Sequence, residues 1–161
     1  MLKTLAAATA GLALMASAAL AQAPAAPDLK TYASSADVQA LIAKARKEHT
    51  NQPTVAETIL SLAPYRIALE YRTAVGPAAV HEKEAELFYV IEGSATFTTG
   101  GKLKEEKRTN PTNLTGTGIE GGQSRAVAKG DFYIVPEGSP HQYTDIKGEL
   151  ILMSLHMPRG N

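Results

Sequence analysis

The sequence has no cysteine. That excludes disulfides, thiolate catalysis, cysteine-based zinc sites and a lipid anchor on a cysteine. It also has no net charge, because 16 Lys and Arg stand against 16 Asp and Glu. A balanced chain has no general attraction for nucleic acid or anionic lipid, so neither is expected as a partner. No long, strongly apolar run is present either. The richest stretch, residues 5–20, is rich in Ala rather than Leu and falls short of the about 20 apolar residues that a membrane-spanning helix needs. What remains is globular: 161 residues, 44% apolar and 20% charged, suit one domain and argue against a mainly disordered chain.

The start of the chain has the layout of a secretory signal peptide. Met1-Leu2-Lys3 is a short positive start, an Ala- and Leu-rich run follows, and Ala19-Leu20-Ala21 offers small residues where signal peptidase reads them. The cut is expected after Ala21, since a cut after Ala23 would set Pro24 beside the scissile bond. The short, Ala-rich run favours cleavage over a retained anchor, so no stable membrane anchor is expected. No twin-Arg pair precedes the run, which points to export of the unfolded chain. The leader's composition looks bacterial, so the expected location is periplasmic or secreted. Removing residues 1–21 takes away Lys3 alone and leaves a net charge of −1.

Residues 22–33, which include Ala23-Pro24-Ala25-Ala26-Pro27, read as a linker, and residues 34–161 as a single domain. Ser34 or Ser35 caps a predicted helix over 34–48. In it Val38, Leu41, Ile42 and Ala45 recur at helical spacing, and Lys44, Arg46 and Lys47 gather at the end the dipole favours. His49 follows there and reads as surface structure. From residue 54 to 157 the pattern changes to short β-branched or aromatic runs punctuated by Gly, Pro or Asn. The predicted strands are 54–62, 65–72, 87–91, 94–99, 132–135, 141–146 and 150–156. One helix followed by many short strands predicts an all-β barrel or sandwich. Residues 100–122 read as a long polar loop, either a functional rim or a solvated hairpin extension. Within it, Gly116-Thr117-Gly118-Ile119-Glu120-Gly121 fits G-x-G-x-x-G but has neither the strand before it nor the helix after it that nucleotide binding requires. Asn113-Leu114-Thr115 fits a glycosylation triplet, a pattern common by chance.

The informative stretch runs from Gly130 to Asp145. Gly130 opens a strand, Pro136 and Gly138 shape a turn, and Pro140 leads into a second strand beginning at His141. This resembles the second motif of the cupin superfamily, G-x5-P-x-G-x2-H-x3-N, at Gly130, Pro136, Gly138 and His141, with Asp145 where Asn is usual. The first cupin motif, G-x5-H-x-H-x3–4-E-x6-G, is matched in part upstream. Glu86 and Gly93 fit its second half, with Glu92-Gly93 expected as a hairpin turn. His81 falls on the second His, Ala79 on the first and Thr73 on the initial Gly. The two motifs cover about half of the mature chain.

The resemblance implies an antiparallel jelly-roll (cupin) β-barrel preceded by the one helix. It implies that His81, Glu86 and His141 point into the barrel and hold one divalent transition metal. Two imidazoles and a carboxylate suit Fe, Mn, Ni, Zn or Cu and leave positions open for substrate. Ala79 has only a methyl group and ligates nothing. The plainer alternative is a hydrogen-bonded His81–Glu86 pair in the barrel wall. His156 shares a strand face with Leu150, Leu152 and Ser154. Its place at the strand end favours an exposed side chain, whereas pointing inward it would replace the missing ligand. Strand alternation puts Lys83 on the face of His81, where it would meet an anionic substrate, and a β-bulge would send it to solvent instead. Tyr89 and Tyr143 are candidate pocket residues, although aromatics at strand spacing are more often core.

The resemblance therefore implies a metal-dependent enzyme acting on a small organic molecule, by oxygenase-, isomerase- or decarboxylase-type chemistry. The alternative is a metal-free cupin that binds a sugar or anionic metabolite without turnover. Cupins similar to this chain often form homodimers, and the apolar run 55–60 offers an edge for pairing.

Overall fold

The computed structural model describes residues 29–159. The expected leader, its cleavage point and the first part of the linker lie outside the described residues.

The helix α1 (Ser35–Glu48) begins where capping chemistry dictates. Ser34 Oγ accepts from the Asp37 amide at 3.2 Å, and Asp37 Oδ2 accepts from the Ser34 amide at 2.8 Å. This reciprocal box satisfies two of the amides that a helix start leaves unpaired. The buried face of α1, Ile42 and Ala45, packs on Ile59, Leu69, Tyr71 and Ile151 of the sheet beneath. At its last turn Arg46 donates to Glu149, with Nε 3.2 Å from Oε2, and stands 3.3 Å from Glu92.

Twelve strands follow. Five form one wall, in the order β1 (Thr54–Leu62), β2 (Tyr65–Arg72), β12 (Leu150–Pro158), the first part of β4 (Glu84–Thr99) and β10 (Phe132–Val135). The second part of β4 pairs with β9 (Gln123–Ala128) on one side. On the other it leads through β11 (His141–Thr144), β3 (Ala78–His81) and β7 (Asn113–Gly116) to β6 (Lys107–Asn110). A ribbon of β5 (Lys102–Lys104) and β8 (Gly118–Glu120) completes the set. All of these pairings are antiparallel, and the sheet curls into the expected all-β jelly roll. Inside, Phe88, Val90, Phe97, Val127, Val135, Tyr143, Leu150 and Leu152 form the closed end of the barrel.

Three expectations need correction. Glu92-Gly93 is no hairpin turn, because β4 runs through it as one 16-residue strand serving both walls. A register shift opposite Ile151 and Leu152 marks a bulge there. Gly93 has φ +88°, and a Cβ on it would lie 2.0 Å from the Glu149 carbonyl oxygen. Glycine thus bends the strand instead of ending it. Residues 100–122 are not one loop but contain β5 to β8. Of these strands β5 and β6 are mostly exposed, β7 and β8 are half-buried, and none carries an apolar alternation, so their sequence holds no periodic signal. The strand β9 was also not foreseen, since only Val127 in it is buried.

Gly138 lies in the tight turn before β11, with φ +72° and open space around its Cα. Gly138→Ala should therefore cost only backbone strain, about 1–2 kcal/mol. Gly93→Ala adds a clash with main chain and should cost about 3 kcal/mol or more. Urea unfolding of the two variants checks the ranking. Arg46, hydrogen-bonded to Glu149, holds that carboxyl below its ordinary value. The associated stability is present above the unfolded carboxylate pKa, about 4.3, and is lost as pH falls through the lower folded value. Arg46→Met should lower Tm at pH 6–7, and the gap from the parent should close toward pH 3.

Candidate functional site

Four strands bring the site together. Alternation along β4 turns Glu86, Phe88 and Val90 inward, and Glu86 lies nearest the open end, 3% exposed. On β3, Ala79 and His81 share the inner face. Ala79 stands directly opposite His141 on β11, and His156 on β12 stands directly opposite Glu86. The turn before β11 ties two of these strands, because the Gly138 amide donates to the His81 carbonyl at 2.8 Å. The Pro and Gly of the second motif thus fix His81 relative to His141.

The three imidazoles converge on one carboxylate. His81 Nε2 and His141 Nε2 each lie 3.3 Å from Glu86 Oε2, and His156 Nε2 lies 3.1 Å from Oε1. The ligand atoms of His81, Glu86 and His156 all fall within 4.8 Å of one another. The far ring nitrogens are engaged as well. Nδ1 of His81 faces Asn113 Oδ1 at 3.1 Å, Nδ1 of His141 faces the Ser139 carbonyl at 3.3 Å, and Nδ1 of His156 faces Glu84 Oε2 at 3.0 Å. Each of those oxygens can only accept, so each Nδ1 carries the proton. In the neutral ring this leaves Nε2 as a lone pair aimed at the Glu86 carboxylate.

Glu86 Oε2 has no hydrogen-bond partner despite being buried. Both imidazoles approach it, yet neither is aligned to donate to it. A buried, orphaned carboxylate oxygen among imidazole lone pairs is an arrangement that a cation completes. The donor set fits a transition metal of the kind named above.

In the absence of a cation the electrostatics favour a second proton on two of these rings, which supplies the positive charge that Glu86 demands. Burial works against ionisation of Glu86, but the pull of His141, His156 and His81 outweighs it and holds the carboxyl well below its ordinary value. His156 is pushed up to about 9, chiefly by Glu86 and despite partial burial, with Glu84 adding to the effect. Burial depresses His81, and Glu86 more than offsets it, so the net direction is upward.

The other expected pocket residues separate. His156 is not an exposed strand end but joins the cluster, since β12 continues two residues past it and holds its ring against Glu86. Lys83 is exposed in the two-residue bend between β3 and β4, where alternation from His81 no longer applies. Tyr89 lies on the outer face of β4, 37% exposed, with its ring 5.9 Å from that of Phe132. Tyr143 is buried in the barrel core, its hydroxyl 2.6 Å from that of Tyr133 and the Arg72 guanidinium 4.9 Å over its ring. The cluster opens into a cavity of about 390 Å³. Two arginines of β2, Arg66 and Arg72, line it and were not foreseen, because a strand arginine resembles any solvated one until its face is known.

Among solved structures the fold is shared with KdgF from Halomonas sp., at TM-score 0.50 and 15% identity over 70% of this chain and 87% of that one. The cupin domain of Schizosaccharomyces pombe Cnp3 matches at TM-score 0.50 and 13% identity, over 71% and 72% of the two chains. The iron(II) form of HppE matches at TM-score 0.52 and 16% identity, over 68% of this chain and 53% of that one. At such identities the likeness is one of fold. No protein-family model and no curated protein sequence matches the chain.

Replacing Glu86 by Gln removes the charge that favours a second proton on His81 and His156. In chelator-treated Glu86→Gln, the His156 ring should titrate well below 9, toward the ordinary histidine value of about 6.5. A nitrogen-15 NMR titration reads this directly, and an unchanged His156 would refute the arrangement.

Proposed function

We propose that this chain, whose fold is that of the cupins, is an exported metal-dependent enzyme of small-molecule metabolism. His81, His141 and His156, through Nε2, and the Glu86 carboxylate hold one divalent transition metal: Fe, Mn, Ni, Zn or Cu. The observation that carries this reading is the buried Glu86 Oε2, without a hydrogen-bond partner, facing imidazoles whose other nitrogens are already engaged.

A metal in such a set supplies Lewis acidity toward a carbonyl or enolate oxygen, or a redox-active centre. The remaining chemistry belongs to the chain. Glu86 offsets one unit of the cation's charge, and the neutral imidazoles offset none. Asn113, the Ser139 carbonyl and Glu84 hold the three rings in the required tautomer and orientation. The aromatic floor of Phe88 and Phe97 closes the barrel below and confines access to the cavity side. Oxygenase-, isomerase- and decarboxylase-type reactions share these requirements, because a fold does not fix a chemistry.

On this reading His156 takes the place that the methyl of Ala79 leaves empty. The competing reading, a metal-free cupin that binds a sugar or an anionic metabolite, rests on that methyl. In it, protons on His81 and His156 would balance Glu86 permanently.

Elemental analysis of protein from the periplasm of an expressing host, made without a metal-binding tag, separates the two. Near-stoichiometric metal is expected, absent in Glu86→Ala and bound at least about tenfold more weakly in His156→Ala. Adding Ala79→His to His156→Ala should restore it. A parent protein that takes up none of the five metals would sink the metalloenzyme reading.

A further inference from the structure

We propose that the cavity above the cluster takes a small organic carboxylate, and that Arg66 is the residue that grips it. The inference rests on the metal reading for the ligand's other end, and on Arg66 alone for this one.

The cavity of about 390 Å³ has two cationic side chains in its wall, Arg66 and Arg72, and their situations differ. Arg72 is already committed. Its Nε and Nη2 donate to Glu70 Oε2 at 2.9 and 2.6 Å, and its guanidinium lies over the Tyr143 ring. Both ends of that pair are largely buried, so it braces the cavity wall. Arg66 has a single partner, since its Nε donates to Thr58 Oγ1 at 3.0 Å. Among the described residues no carboxylate lies within ion-pair distance of it. Its two terminal nitrogens are therefore unengaged donors, while the Thr58 hydroxyl steadies the head.

Position makes this useful. Residues 66, 68, 70 and 72 of β2 share the cavity face, and Arg66 stands directly opposite His156 on β12. Opposed antiparallel residues have Cβ atoms about 4.5–5.5 Å apart, so the Arg66 side chain rises beside the metal cluster. Between them the wall is small: Ala56, Ala68, Ala79 and Ser154 leave room where larger side chains would fill it. The volume lies at the low end of the range of about 300–1,000 Å³ typical of small-molecule sites. A planar guanidinium with two free donors matches a carboxylate in a bidentate fork. The ligand that fits is a short acid with a carboxylate at one end and an oxygen donor a few bonds away. Arg66 would hold the first, and the His–Glu cluster would face the second.

Malonate, with its diamide as the uncharged control, serves as the probe. Its binding is measured by calorimetry to the full protein, once equilibrated with Mn(II) and once treated with chelator, for the parent, Arg66→Gln and Arg66→Lys. Malonate should bind the parent at least tenfold more tightly than Arg66→Gln. Arg66→Lys should fall between them, and malonamide should not discriminate. Manganese content and Tm should be the same in all three, because Arg66 is exposed and touches none of the ligands. Equal malonate affinity in the parent and Arg66→Gln overturns the inference, as does a parent that binds no malonate with or without manganese. If manganese fails to bind while malonate binding still depends on Arg66, the metal reading falls and the carboxylate site stands.

Discussion

The candidate site is arranged around one buried negative charge that no arginine or lysine pairs, the Glu86 carboxylate. An ionised carboxylate removed from water is destabilising by several kcal/mol unless its surroundings repay the lost hydration. Glu86 is 3% exposed, and its repayment is positive charge gathered by three rings on three other strands, as protons on His81 and His156 or as a cation the rings would hold. Each ring is in turn oriented by a separate acceptor, one on β7, one in the turn before β11 and one at the start of β4. Displacing any of these strands would leave the charge uncompensated. The barrel's closure and the cluster's geometry are thus the same constraint seen at two scales.

The second motif was legible because it is written in backbone chemistry. A Gly with φ +95° at 130, a Pro at 136 and a Gly with φ +72° at 138 leave few conformations for the chain, and they deliver His141 to a defined place. Half of the first motif was legible for a different reason, the spacing of His81, Glu86 and Gly93. The role given to Gly93 was still wrong, because a glycine between two apolar runs signals a bend as readily as a turn. The sequence left two places open for His156, since strand alternation gives its face but not whether the strand continues past it. Tyr89, a pocket candidate by residue type alone, lies an odd number of residues from Glu86 on β4 and faces outward, while Lys83 takes the solvent-facing one of its two expected places. Two residues of bend separate His81 from β4, and parity is lost over them. Arg66 carried no signal, because nothing local distinguishes an arginine at a cavity mouth from one facing solvent.

The two arginines of β2 illustrate how partners determine what a side chain can do. Arg72 and Arg66 are the same residue type on the same strand face, six positions apart. One is saturated by Glu70 and an aromatic ring, and it serves the wall. The other holds one hydroxyl and keeps its fork free.

The sixteen residues of β4 join both walls, and β12, the last strand, is what seals Glu86 from the other side. His156 therefore arrives about seventy residues after the carboxylate it faces. A chain still being made has Glu86 but not its full complement of imidazoles. The cluster cannot assemble until β12 has docked, so its completion reports that this wall of the barrel is closed. A cell that supplied the wrong cation during synthesis would meet no complete trap for it. On the metal reading, the ion would be chosen from the solution in which β12 docks, not from the one in which translation began.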